Sequence, residues 1–489
     1  MMEWWLRRGA LASLILLLPA IALAHSFSTP YLLPIPYWMY VYGCAATLIV
    51  TFAVLGVFAS RPASDESSAR SRPLEVGPGM RAAGRRLLIV LRVAALACLS
   101  ITIAAGFVGS EDPLANVSLP LFWVVFLLGW GYLTVLVGDL YPFVNPWLTI
   151  IGGLERIGVP LSKARMRYPQ WLGCWPAFGF YLWLVWTELF VVQTPLALSN
   201  LLLIYSAVTL LGVVVFGKRD WFEQADFFSV FFSIVGKMAP VAYDSDGGEQ
   251  IREVRLRRPF SGLLSEQPKH MSVLLFVLFM LSSTAYDGIY DTQLWTAFFW
   301  KNMLGLLQPL WGDDLGKAQA LLMDLFLVYR KAGLLLFPFL YLIFYYATLL
   351  LAKLITRSSL SLRSLALQFC YSLVPIAFVY HFAHYYTFLI VQFRELPSLL
   401  GSLVGIDVLP PLLTSPDAPP TGALEMGIVW HTQVGVVLLG HVVSVVLAHF
   451  EALRSFPGRG NTLLSQVPLL ILMVTYTMLG LWILTLPLG

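Results

Sequence analysis

Charge is the scarcest commodity in this 489-residue chain: only 12% of its residues are Asp, Glu, Lys or Arg, where a water-soluble chain carries roughly a quarter. Hydrophobic residues make up 58% and the mean hydropathy is +0.77. Such a chain has lipid as its solvent. The formal net charge of +4 is small and confined to loops, and no basic face is present, which excludes nucleic acid as a partner. Cysteine is also sparse: Cys44, Cys98, Cys174 and Cys370 stand singly in or beside apolar segments. That spacing excludes a zinc knuckle or a CxxC redox pair and leaves packing as their role. No HExxH, GxSxG or GxxxxGK[ST] motif occurs, so the familiar zinc-protease, serine-hydrolase and phosphate-loop classes are excluded too.

What the sequence has in quantity is long apolar runs. The first 24 residues combine a basic start (Arg7, Arg8), an apolar stretch and the small-residue site Ala22-Leu23-Ala24, the pattern of a cleaved signal peptide. Cleavage there makes His25 the mature N-terminus. Beyond it, ten apolar spans are expected near 37–59, 87–109, 119–138, 174–194, 198–216, 271–286, 333–352, 365–391, 427–448 and 464–486. Most fall within the roughly 17–25 residues that cross a bilayer. The fold class is therefore all-α, a single polytopic transmembrane bundle over 25–489. Segment 294–311 is interrupted by Lys301, Asn302 and Gln308 and is read as interfacial. Segment 221–241 is read as an amphipathic or re-entrant element at the inner surface. The polar linker 60–75 and the Pro/Gly-rich stretch 403–425 are read as loops.

Lys and Arg set the orientation, because basic loops stay on the cytoplasmic side. Loops 60–86, 139–173, 217–270, 353–364 and 449–463 hold 23 basic residues, and the alternate loops hold 5. A bacterial inner-membrane protein with both termini periplasmic follows. No internal repeat supports the inverted architecture of many transporters.

Ionisable side chains inside spans cost several kcal/mol, so each needs a partner, a cavity or a role. His381 and His384 sit three apart, on neighbouring positions of one helical face among Tyr380, Tyr385 and Tyr386. The ninth span carries His431, His441 and His449; at about 1.5 Å rise per residue His431 is level with His384 and His441 lies a turn or two deeper. Glu188 falls in the outer half of the fourth span and Asp287 closes the sixth. These carboxylates are candidate catalytic groups. His384, His441, His381 and His431, together with the α-amine and imidazole of His25, are candidate ligands for a divalent metal whose identity the residues do not specify. Turn formation is the plainer role for Asp139 and Asn145, near Pro142 and Pro146, and an interfacial position is the plainer one for His449 beside Glu451 and Arg454. For Glu188 the plainer role is a pairing with Arg92.

Several stretches carry a resemblance: LPIPYW at 33–38, GDLYPFVNPW at 138–147, YPQWLGCWPA at 168–177, WTELFV at 186–191, FFSVFFSIVGKMAP at 227–240, AHYYTFLI at 383–390 and GHVVSVVLAHFEAL at 440–453. In order along most of the chain they resemble the bacterial membrane proteins known as fenitrothion hydrolases. The resemblance implies a membrane-bound hydrolase that cleaves the aryl ester bond of organophosphorus triesters. The residues matching the family pattern are Asp139, Asn145, Glu188, Asp287, His384, His441 and His449; His381 and His431 fall outside it. Metal-assisted hydrolysis of an apolar small molecule entering from the membrane lipid is the first expectation. A transporter or insertion factor for copper or another metal, and a b-type haem protein with paired histidines, remain alternatives. So does a requirement for a second membrane subunit.

Overall fold

The computed structural model describes residues 35–58, 72–74, 77–159, 161, 164–191, 194–245, 251–311, 315–403, 426–456 and 458–486. The signal segment and His25 lie outside these residues. The described chain is all-α apart from one small sheet, and each of the ten expected apolar segments forms a helix. These are α1 (Tyr37–Phe58), α2 (Pro78–Val108), α3 (Pro120–Val137), then two short helices α4 (Tyr141–Val144) and α5 (Pro146–Arg156). After them come α6 (Trp175–Phe190), α7 (Pro195–Phe216) and α8 (Phe227–Gly236). The second half holds α9 (Met271–Tyr290), α10 (Gln293–Trp311), α11 (Leu315–Thr356), α12 (Leu362–Cys370), α13 (Val374–Leu403), α14 (Met426–Ser455) and α15 (Arg459–Leu484).

Among the described residues nine helical stretches are long and apolar enough to cross a membrane, with α12 and α13 counted as one. The expected span at 174–194 is the exception: α6 has 16 residues, since its apolar run opens with the turn at Gly173 and stops in extended backbone at Val191. It lies against α8 and α9 instead of facing outward. Apolar side chains such as Leu87, Ile89, Val90 and Val93 of α2 and Ile343 and Phe344 of α11 are exposed, as expected of a multi-pass membrane protein in contact with lipid. In contrast, α9 is buried along nearly its whole length and forms the centre of the bundle.

Segment 221–241 turns into the bundle instead of lying on its surface, and its helix α8 is buried. Trp221–Ala225 winds as a wide π-helical turn, Asp226 caps α8 by accepting from Ser229 N–H, and all residues of α8 except Ser233 are buried. Phe227, Phe228, Phe231 and Phe232 hold it against α3, α6 and α9. A helix that exposes no polar face has no reason to stay at an interface.

At the end of the bundle that carries most basic loops, β2 (Val241–Ser245) pairs antiparallel with β3 (Ile251–Leu256), and β1 (Arg72–Pro73) adds to the other edge of β3. Part of the expected 60–86 loop is thus tied into a three-stranded sheet. The expected interfacial segment forms α10, which packs against α11 through Phe299, Phe326 and Tyr329 and leaves Phe298, Leu304 and Leu306 exposed.

Candidate functional site

Three helices bring together residues that the chain keeps far apart. His384 Nε2 lies 2.7 Å from Asp287 Oδ2. The hydroxyl of Tyr385, next along α13, lies 2.8 Å from Glu188 Oε1 and 3.1 Å from Asp287 Oδ2. The result is a continuous chain from Glu188 on α6 through Tyr385 on α13 to Asp287 on α9 and back to His384. Gly288 permits this approach: a Cβ there would meet Ile483 Cγ2 at 2.5 Å, so only a glycine lets α9 close on α15 at the level of Asp287. Burial grades across the site. The Asp287 side chain is 3% exposed and that of His384 19%, so the imidazole is the more accessible of this pair.

The hydrogen-bond geometry also constrains the proton count. Tyrosine carries one hydroxyl hydrogen, so it serves one carboxylate at full strength; its second contact is strong only when that carboxyl itself carries a proton. Arg92, the expected partner of Glu188, instead donates to Phe143 O at 2.6 Å near the basic-loop end. Two cations of α11 sit by residues neighbouring the site in sequence: Arg330 pairs with Asp291 at 2.5 Å and lies over the Tyr290 ring, and Lys331 lies over Trp186. They lie at the end of the bundle away from the basic loops.

The remaining histidines are distributed elsewhere. His381 packs its ring on Tyr385 at 4.8 Å. Level and direction separate for His431: Gln433 Nε2 donates to Ala383 O at 2.8 Å, which sets this turn of α14 beside His384 as expected. Yet the His431 ring faces α1, 3.3 Å from the Tyr40 hydroxyl, and bonds Gly427 O through Nδ1. His441 is deeper, as expected, and its Nδ1 bonds Val437 O at 2.8 Å; its buried Nε2 has no hydrogen-bond partner among the described residues. His449 is buried and bonds Gln466 of α15 at 2.9 Å, and Glu451 holds Gln368 and Arg454.

Among the described residues no three His, Cys, Asp or Glu side chains gather so as to hold a metal ion. A histidine cage shared by α13 and α14 therefore does not fit these side chains. Asp139 and Asn145 act as expected of turn residues: Asp139 Oδ1 accepts from Tyr141 N–H, and Asn145 Oδ1 accepts from Trp147 and Leu148 N–H at the start of α5. Tyr385 is the site member that sequence reasoning left among the surrounding aromatics, since nothing local distinguishes a bridging tyrosine from a packing one. No family model, no curated protein and no solved structure matches this chain.

Proposed function

We propose that the chain is a bacterial inner-membrane enzyme, with both termini periplasmic, that hydrolyses an apolar ester at the Glu188–Tyr385–Asp287–His384 network. The observation that carries this reading is the 2.7 Å contact of His384 with a nearly inaccessible Asp287. Such a carboxylate orients an imidazole and stabilises its protonated form. With Nε2–H donated to Asp287, Nδ1 holds the lone pair and is the base that takes a proton from water. Organophosphorus triesters are the substrate class implied by the resemblance of the sequence stretches. In that case the water oxygen forms a bond to phosphorus, the phosphorus–aryloxy bond breaks, and the water proton passes to His384. A proton on Glu188, held by Tyr385, is available to the departing aryloxide. Trp186 and Phe190, packed together against the buried Tyr290, supply an apolar approach.

The test is release of nitrophenol from a p-nitrophenyl phosphotriester by purified protein in detergent. Wild type is expected to show turnover that His384→Ala and Asp287→Asn lose. Equal rates in all three would reject the site.

A further inference from the structure

Asp226 is a second acid buried at depth, and the ester chemistry makes no use of it. Its side chain is wholly inaccessible and accepts from Tyr205 Oη at 2.5 Å, Ser229 N at 2.9 Å and Ser229 Oγ at 2.8 Å. Tyr205 stands midway along α7, so the re-entrant turn carries this carboxylate well inside the bundle. From there α8 returns to the basic-loop end, where Gly236 packs on Asp139 so tightly that a Cβ would lie 2.8 Å from the Asp139 Cβ. Lys237, next in line, pairs with Glu266. Between these two acids lies Tyr141, packed on Phe232 at 4.9 Å. Its hydroxyl is buried without a hydrogen-bond partner among the described residues, and so is Asn145 Nδ2. Burial, and then the charges of Asp226 and Asp139, raise the Tyr141 phenol well above its ordinary range.

On the other side, Asp287 has Ser283 one turn below it on α9, buried, and Ser283 hydrogen-bonds Tyr181 of α6. Tyr181 is where the polar file stops. Phe227 stacks on it at 4.8 Å with Phe276 and Phe279 alongside, and Phe227 is the residue directly after Asp226. Acids and hydroxyls thus lie on both sides of a layer of aromatic rings, from Asp287 and Tyr181 on one side to Asp226, Tyr141 and Asp139 on the other, with water needed to bridge at the rings and at Tyr141.

We propose that this file conducts protons between the two faces of the membrane, with Phe227 as its closed gate. Each hop passes one proton from a carboxyl or hydroxyl to the neighbouring oxygen while that oxygen releases its own onward, and no electron moves. Water admitted when the Phe227 ring turns aside relays the proton between Tyr181 and Asp226. Asp226 is the residue that makes the proposal distinct from ester hydrolysis, because it lies on the opposite side of the gate from His384.

The test uses the full chain in liposomes enclosing a pH-sensitive dye, with a potassium diffusion potential imposed by valinomycin. Phe227→Ala is expected to raise proton entry severalfold over wild type. Adding Asp226→Asn to that variant is expected to return entry to the level of protein-free vesicles, whereas adding Asp226→Glu preserves it. Asparagine caps a helix about as well as aspartate, so loss with Asn and retention with Glu separates a proton carrier from a structural cap. Asp226→Asn is expected to leave nitrophenol release in detergent unchanged, so failure of the conduction reading and failure of the hydrolase reading are told apart. Folded Phe227→Ala protein whose vesicles are as tight as protein-free ones would overturn the proposal, as would undiminished conduction through the Asp226→Asn double variant.

Discussion

Tyr385 and Glu188, 197 positions apart in sequence, are joined at 2.8 Å, and this bond fastens α13 to the short helix α6. Removing the hydroxyl by Tyr385→Phe leaves the Glu188 carboxyl without that donor in a poorly hydrated place. The expected loss is about 1–3 kcal/mol of stability. It is measurable as a lowered unfolding midpoint in detergent, with Tyr386→Phe as the control that changes neither contact.

His384 and Asp287 act as one unit in the proposed chemistry, so their effects should not add. Either His384→Ala or Asp287→Asn should lower the hydrolysis rate by roughly 10²–10⁴-fold, the range of general acid–base catalysis, and the double variant should be little worse than the single ones. His431→Ala, whose ring faces Tyr40, should retain the wild-type rate. A large loss there would restore a role for α14 histidines.

The half-buried Asp139 supplies a pH signature. Burial pushes its carboxyl up to about 7, against the opposing pull of the Tyr141 N–H and the positive charge of Lys237. A carboxyl whose pKa is raised on folding holds its proton more tightly in the folded chain. Its contribution is therefore complete below the ordinary carboxylate range and is lost as pH rises through about 7. Wild-type thermal stability should decline from pH 5 to pH 8, and Asp139→Asn should flatten that part of the profile. An unchanged slope in the variant would assign the decline to other groups.

Glycine substitutions should separate close approach from mere helical position. At Gly236 a Cβ would meet the Cβ and backbone N of Asp139 at 2.8 and 3.1 Å, and the backbone there cannot swing aside. Gly236→Ala should cost about 1–3 kcal/mol, the range for overpacking. Gly435 on α14 is exposed, and a methyl group added there would meet nothing within 4 Å, so Gly435→Ala should stabilise by about 0.5–1 kcal/mol. Unfolding midpoints of the two variants check the contrast.

Sequence alone determined that this chain folds as apolar helices in lipid, where those helices lie, and which few ionisable residues needed explanation. Composition and run length decide these matters, because a bilayer rejects charge and unpaired backbone wherever they occur. The helical rise also placed His431 level with His384 and put His441 deeper. Tertiary structure decided direction. Whether His431 turns toward His384 or toward Tyr40, whether Tyr385 packs or bridges two carboxylates, and whether α8 lies on the surface or enters the core depend on rotation about helix axes and on neighbours distant in sequence. Apolar residues surround most of these helices on all sides, so no polar stripe sets that rotation. Packing against neighbours distant in sequence sets it instead, as where Tyr40 meets His431 and Glu188 meets Tyr385.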